Sequence, residues 1–192
     1  MKEEWEVKLQ EDFPFMKQNH SDDESNVYRR WGFELSGGWY NLLHECCQAI
    51  TDRYEDAGVP IDFVPAQIKE KFGTLRFYFG YEDAPCGIAA FDFLENGTSI
   101  RFESGNEHDD EAKKKLRRDI SSIVRAAEGR SKHTCEICGV EDTACIRTDL
   151  GWVKTLCDKC HSDRVKAIEE NKNKRELKVK EVYDEIKNKA NK

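Results

Sequence analysis

The chain has 192 residues, of which 36% are charged and 38% are hydrophobic, and its formal net charge is −7. No run of about 18 apolar residues is present, so we expect no membrane-spanning helix. The N-terminal segment MKEEWEVKLQEDF lacks the apolar core of a secretory signal, which indicates the cytoplasm. Thiols stay reduced in that compartment, so paired cysteines there favour a metal site over disulfides.

The first predicted element is a helix over about residues 38–56. Apolar residues recur there at helical spacing after the turn signal SGG at 36–38, and Gly58 is expected to end the helix. Cys46 and Cys47 lie within the apolar stripe, so we interpret them as core residues.

Strand-forming residues dominate the next segment, and we expect a small antiparallel sheet of about four strands over 62–104. Gly73-Thr74 is predicted to be a hairpin turn or a bulge. A clearer hairpin is centred on Asn96-Gly97, the strongest short-range turn signal, with apolar residues alternating on both sides.

A second helix is predicted over 112–128, with one apolar face and one basic face, and Gly129 is expected to stop it. After the cysteine-containing segment that follows, residues 161–190 are predicted to form a charged helix with a thin apolar stripe.

Two Cys-x-x-Cys pairs lie between these helices, Cys135/Cys138 and Cys157/Cys160. Each such turn brings two thiolates to one ion, and two turns separated by about 15–20 residues are typical of a zinc ribbon. We therefore predict one structural Zn²⁺, because a closed shell of four thiolates leaves no open position for water or substrate. Cys145, between the pairs, is interpreted as a small packing residue.

The predicted fold class is α+β: a small antiparallel sheet with helices, followed by a zinc ribbon and a C-terminal charged helix. We expect the sheet and the ribbon to have separate cores. The predicted divisions are an α+β domain over 1–130, a zinc ribbon over 131–162 and a helical extension over 163–192.

The segment TLCDKCH at 155–161 resembles the end of HNH endonucleases. That family supplies a histidine base and a further metal-binding histidine or asparagine from the segment between the cysteine pairs. Residues 139–156 contain neither residue type, so we predict no metal-dependent nuclease. His133 and His161 flank the cysteines, and either could replace one of them as a ligand.

Three separated stretches share a recognisable order: WGFELSGGWYNLL (31–43), QIKEKFGTLRFYFG (67–80) and CEIC…LGWVKTLCDKC (135–160). Together they resemble a family of small zinc-ribbon proteins encoded by bacteriophages and prophages. The similarity covers roughly residues 11–160, with Leu35-Ser36 in place of the usual Cys-Gly and Thr74 in place of the usual Gly. The resemblance implies a phage origin and a setting in the host bacterial cytoplasm, but it implies no reaction.

The charge is distributed unevenly. Residues 1–111 hold 10 Lys and Arg against 24 Asp and Glu, a net charge of −14, whereas residues 112–192 hold 21 against 14, a net charge of +7. This asymmetry favours either two functional parts or two solvated surfaces that simply differ in charge. An acidic surface attracts basic protein surfaces and repels the phosphates of nucleic acids.

We therefore expect a non-enzymatic phage accessory protein that binds a host protein, in host takeover or anti-defence. A nucleic-acid-binding ribbon is the alternative, and an enzyme of unrecognised type is the third. The oligomeric state stays open. The candidate binding surface is Trp31, Trp39, Tyr40, Arg76, Tyr78, Lys154 and Trp152.

Trp31 and Trp39 allow two interpretations. Both could clamp the first helix onto the sheet as core residues, or one of them could be an exposed anchor for a partner, since tryptophan dominates binding hot spots. For the nucleic-acid alternative, Trp152 would stack on bases. The basic residues around it would be Lys132, Arg147, Lys154, Lys159 and Arg164.

Overall fold

The structure is a computed structural model that describes residues 3–85, 90–93, 98–101 and 109–190. The predicted α+β class is confirmed, with short strands among five α-helices in these ranges. The chain divides into two compact units, Met1–Cys157 and Asp158–Lys192, so the first cysteine pair and its hairpin belong to the larger unit. None of the helices described is long and apolar enough to cross a membrane.

The helices and strands follow the order of the chain. The helices are α1 (Glu3–Asp12), α2 (Val27–Trp31), α3 (Tyr40–Ala57), α4 (Glu111–Ser131) and α5 (Asp158–Ala190). The strands are β1 (Phe33–Glu34), β2 (Phe63–Lys71), β3 (Thr74–Tyr81), β4 (Ala90–Phe93), β5 (Thr98–Arg101), β6 (Ala144–Arg147) and β7 (Lys154–Cys157). Two 3₁₀ turns, Pro14–Met16 and Gly37–Trp39, precede α2 and α3.

The strands in the described ranges form three sheets. In the first, β1 runs parallel to β2 with Phe33 opposite Ile68, and β3 pairs antiparallel with β2. Strands β4 and β5 form a separate pair with Phe91 opposite Ile100, and β6 pairs with β7. The four strands expected over 62–104 are therefore present, but they pair two by two rather than as one sheet. The predicted turn at Asn96-Gly97 lies outside the described residues.

The β2–β3 connection is a hairpin turn formed by Phe72 and Gly73. It lies one residue earlier than the predicted Gly73-Thr74, because Thr74 is already the first residue of β3. Both residues have positive φ, +52° and +70°, as the two central residues of a type I′ turn require. The amide of Gly73 donates to Oε1 of Glu70 at 2.6 Å, which closes the turn. The left-handed backbone favours glycine at the second position, whereas Phe72 adopts it at a cost.

Helix α3 is confirmed close to its predicted bounds. It ends at Gly58, which adopts the left-handed conformation (φ +66°) and donates its amide to the carbonyl of Glu55. Cys46 and Cys47 are buried in the core, as interpreted from the sequence. Burial raises the pKa of Cys46 to about 12, so this thiol is protonated at neutral pH and chemically inert.

Helix α4 continues past Gly129 to Ser131, so the predicted stop at Gly129 is wrong. Two hydrogen bonds to β3 hold the last turn: the amide of Phe77 donates to Oε1 of Glu128 at 2.7 Å, and the amide of Leu75 donates to Oγ of Ser131 at 2.9 Å. These tertiary contacts outweigh the poor helix propensity of one glycine.

One hydrophobic cluster joins these elements. It contains the apolar faces of α3 and α4, the inner side chains of β2 and β3, and apolar residues of the N-terminal segment such as Leu9, Phe15 and Tyr28. The two short helices of that segment, α1 and α2, were not expected from the sequence. Their residues Leu9 and Tyr28 belong to the same hydrophobic cluster.

Candidate metal centre

The first cysteine pair lies in a tight turn between α4 and β6. This turn, residues 135–140, is called the knuckle below. The amide of Cys135 donates to the carbonyl of Val140 at 2.8 Å, and the amide of Gly139 donates back to the carbonyl of Cys135 at 2.8 Å. Gly139 has a φ of +77°, a conformation that favours glycine. The knuckle therefore has a defined backbone, and it turns both thiols of the pair toward the same side.

The second pair follows from β7. Cys157 is the last residue of that strand, and Cys160 stands in the first turn of α5, three residues later. The ligand atoms of all four cysteines, Cys135, Cys138, Cys157 and Cys160, lie within 4.8 Å of one another. Four thiols that are distant in sequence thus form one cluster, close enough to hold a metal ion.

The spacing within the cluster fits a tetrahedral ion. Sγ of Cys138 lies 3.7 Å from Sγ of Cys157. Four sulfurs at about 2.3 Å from a central ion would be separated by about 3.8 Å, whereas a disulfide needs a sulfur–sulfur distance of about 2.05 Å. None of these four cysteines forms a disulfide with another described residue. The arrangement therefore matches a metal–thiolate site rather than two disulfides.

The 3₁₀ turn Gly37–Trp39, which precedes α3, supports the knuckle. The amide of Gly38 donates to the carbonyl of Glu136 at 2.9 Å, and Nε1 of Trp39 donates to the carbonyl of Thr134 at 2.8 Å. A Cβ added to Gly38 would lie 2.3 Å from the carbonyl oxygen of Cys135. Only a glycine allows this close approach between the 3₁₀ turn before α3 and the first cysteine of the cluster.

The β2–β3 turn contacts β7, the strand that carries Cys157. The hydroxyl of Thr155 on β7 donates to the carbonyl of Gly73, and the amide of Glu136 donates to the carbonyl of Thr155 at 3.0 Å. A Cβ on Gly73 would lie 3.1 Å from the backbone of Lys154. The cysteine hairpin, which comprises residues 133–157, is therefore hydrogen-bonded to the β2–β3 turn and to the 3₁₀ turn before α3. This differs from the independent ribbon expected from the sequence.

We predict that Thr155→Val destabilises the fold by about 1–2 kcal/mol, because it leaves the buried carbonyl of Gly73 without its hydroxyl donor. Thr155 is fully buried, and valine has nearly the same volume. Urea unfolding of the metal-loaded chain measures the change. Thr148→Val, at an exposed position of the same hairpin, is the matched control and should have little effect. Equal stabilities for the two variants would contradict this role of the hydroxyl.

Three other residues near the cysteines had predicted roles: His133 and His161 as alternative ligands, and Cys145 as a packing residue. The metal-competent group found in the described residues contains cysteines alone, without His133 or His161. Cys145 lies on β6 and is exposed, so it is not the packing residue that the sequence suggested. It is also outside the four-thiol group, which makes it a control position for the ligands.

The structure separates the candidate binding residues by exposure. Trp31 at the end of α2 and Trp152 before β7 are 65% and 66% exposed, whereas Trp39 is fully buried and belongs to the core. Arg76 and Tyr78 are buried on β3. The prediction that they belong to an exposed binding surface is therefore wrong.

Two further candidates are partly buried. Tyr40 packs against the hydrophobic cluster, and its ring lies 5.6 Å from the ring of Trp5. Lys154 forms an ion pair with the carboxylate of Glu136, which is fully buried inside the knuckle. A buried carboxylate needs such a partner, so Lys154 has a structural role.

Comparison of the chain with protein-family models, with curated proteins and with solved structures found no match.

Proposed function

We propose that the chain is a non-enzymatic accessory protein of phage origin that binds a host protein, and that one structural Zn²⁺ on Cys135, Cys138, Cys157 and Cys160 holds its fold. Zinc is the ion that most often takes four thiolates in tetrahedral sites. A site closed by four protein ligands leaves no position for water or substrate, so the ion would stabilise the chain rather than catalyse a reaction.

The observation that carries the proposed binding is the exposure of Trp31. A tryptophan that is 65% exposed forgoes the large free energy of burial that Trp39 gains in the core. Tryptophans of this kind are the commonest anchors of protein–protein interfaces. We therefore place the centre of the interface at the end of α2.

The segment before α2 supplies the charge of this surface. Asp22, Asp23 and Glu24 are exposed there, and the guanidinium groups of Arg29 and Arg30 donate to main-chain carbonyls of the same segment. Asn26 caps the helix by accepting from the amide of Arg29 at 2.9 Å. The acidic loop and the helix that presents Trp31 thus form one local unit.

The carboxylate of Asp23 is held in its charged form. The hydroxyl and the amide of Ser25 donate to it at 2.7 and 2.8 Å, and these hydrogen bonds lower the pKa of Asp23. The surface beside Trp31 therefore keeps a negative charge in mildly acidic solution. This charge favours a partner with a basic surface.

The proposed interface predicts two separable effects. Trp31→Ala should weaken binding by about 2 kcal/mol or more, which is about thirtyfold, because it removes the exposed anchor that the partner would bury. Reversal of Asp22, Asp23 and Glu24 to lysine should slow association and reduce its dependence on salt. The partner is first captured from nuclease-treated extracts of infected cells and identified, and the binding constants are then measured with the purified pair.

Matched controls keep this experiment specific. Trp152→Ala removes an equally exposed tryptophan from the cysteine hairpin, and reversal of Lys114 and Arg118 changes charge on the outer face of α4; both should leave binding unchanged. Binding that survives Trp31→Ala but fails in Trp152→Ala would contradict the proposed surface.

Binding of nucleic acid remains the second candidate, and the exposure of Trp152 is the observation in its favour. The structure weakens the basic cluster that this hypothesis needs, because Lys154 pairs with Glu136. If capture is lost on nuclease treatment and depends on Trp152, nucleic acid replaces protein as the partner.

A further inference from the structure

The C-terminal half of α5 exposes a stripe of large apolar side chains. The stripe begins at Val179 and continues with Val182, Tyr183 and Ile186, which follow Val179 by three, four and seven residues. These spacings place all four side chains on one face of the helix. Their exposed fractions range from 55% to 70%. Four large apolar groups on one helical face, all largely open to water, are typical of a surface that another helix covers.

The same face continues toward the N-terminus of α5 through Ile168, Lys172 and Arg175. The two cations interrupt the apolar stripe. If two copies of α5 paired in parallel and in register, each cation would lie against its own equivalent, which is unfavourable. An antiparallel pair avoids these contacts between identical residues.

The order of charges along α5 also favours an antiparallel pair. Residues 172–180 carry five basic residues and one acidic residue, a net charge of +4, whereas residues 181–185 carry three acidic residues and no basic one, a net charge of −3. Two antiparallel copies that cross near residue 180 place the basic part of each helix beside the acidic part of the other. The same crossing places Val179 of one copy near Val182 of the other.

We propose that the chain forms a homodimer through α5, with the two helices antiparallel and the stripe of Val179, Val182, Tyr183 and Ile186 at their interface. The helix has 33 residues, and helices with so few buried groups gain most of their stability from such packing. The inference concerns self-association alone, so it is independent of the proposed partner and of the metal ion.

The oligomeric state of the full, metal-loaded chain tests the proposal. In sedimentation equilibrium over protein concentrations from about 1 to 300 µM, the wild-type chain should convert from one copy to two. Val179→Asp should weaken this association at least about tenfold, because it buries a charge against the other copy. Leu177→Asp is the matched control, since Leu177 is 61% exposed but lies on the opposite face of the helix, and it should leave association unchanged.

Charge reversal tests the antiparallel arrangement. Changing Glu181, Asp184 and Glu185 to lysine should weaken the dimer, because two basic segments then meet, and further changing Lys174, Lys178 and Lys180 to glutamate should restore it. In a parallel pair the first change would replace one like-charge contact by another and have little effect. A chain that is monomeric throughout the concentration range, an equal effect of Leu177→Asp, or a failure of the second change to restore association would each overturn the proposal.

Discussion

Cys157→Ser should remove the zinc ion proposed for the four-thiol cluster and unfold the cysteine hairpin. Binding free energy at a structural zinc site is also folding free energy, with apparent values of about 10–16 kcal/mol in small zinc modules. A site with three thiolates keeps only part of it. We therefore expect a larger loss of stability than for Thr155→Val or Gly38→Ala, measured as the loss of zinc and of the main unfolding transition in urea.

Cys145→Ser is the control for this experiment. Cys145 lies on the same hairpin but is exposed and outside the four-thiol cluster, so its replacement should leave zinc content and stability unchanged. Equal effects of the two substitutions, or a fully stable Cys157→Ser chain, would contradict a structural metal.

Hydrogen exchange locates the damage that metal loss causes. The amide of Gly38 donates to the knuckle carbonyl of Glu136, so it should lose its protection directly. The β2–β3 turn should loosen as well, because the hydroxyl of Thr155 bonds to Gly73. Metal loss is therefore expected to weaken the sheet, whereas the separate cores inferred from the sequence would leave it intact.

Gly38→Ala should destabilise the chain by about 3 kcal/mol. The new Cβ would lie 2.3 Å from the carbonyl oxygen of Cys135 and 2.6 Å from the carbonyl carbon of Glu136, both of them backbone atoms that cannot rotate away. The 3₁₀ turn before α3 and the first cysteine pair must then separate, so zinc affinity should fall with stability. Urea unfolding and competition with a zinc chelator measure the two effects.

Gly129→Ala is the matched control for Gly38→Ala. Gly129 lies within α4, and a Cβ there would meet no atom within 4 Å. Alanine should therefore stabilise the chain by up to about 1 kcal/mol, because it is the better helix former. If the two substitutions changed stability alike, the close approach at Gly38 would have no energetic importance.

Local patterns in the sequence were sufficient to predict α3 and the cysteine cluster. The apolar stripe of α3 has the period of a helix, and Gly58 ends it through a backbone conformation that the sequence signals directly. The spacing of the two Cys-x-x-Cys pairs likewise reflects the geometry of one ion. These features depend on residues that are close together in the chain or on ligand chemistry, so they are predictable without a fold.

The supporting contacts of the cluster could not be predicted in this way. Gly37 and Gly38 were interpreted as a turn signal, but their small size matters because the ring of Trp5 and the backbone of Cys135 lie against them. Such contacts join segments that are distant in the chain. Gly38 and Cys135, for example, are about 100 residues apart. A glycine required for close packing has the same local sequence signature as a glycine required for a turn.

Exposure was equally hard to predict for the aromatic and basic residues of the sheet and of α2. The residues of β3 are buried on both faces, so Arg76 and Tyr78 lie in the interior even though strand alternation allows one face to be open. Trp31 is largely exposed, whereas Trp39 is fully buried. Only the packing of α2 and α3 decides which of them is available to a partner.

The metal content of the purified chain tests the central claim most directly. Elemental analysis should find one zinc ion per chain in the wild type and in Cys145→Ser, and a large loss of zinc in Cys135→Ser. A folded wild-type chain without zinc, or one in which Cys135→Ser retains it, would contradict a structural zinc ion on these four cysteines.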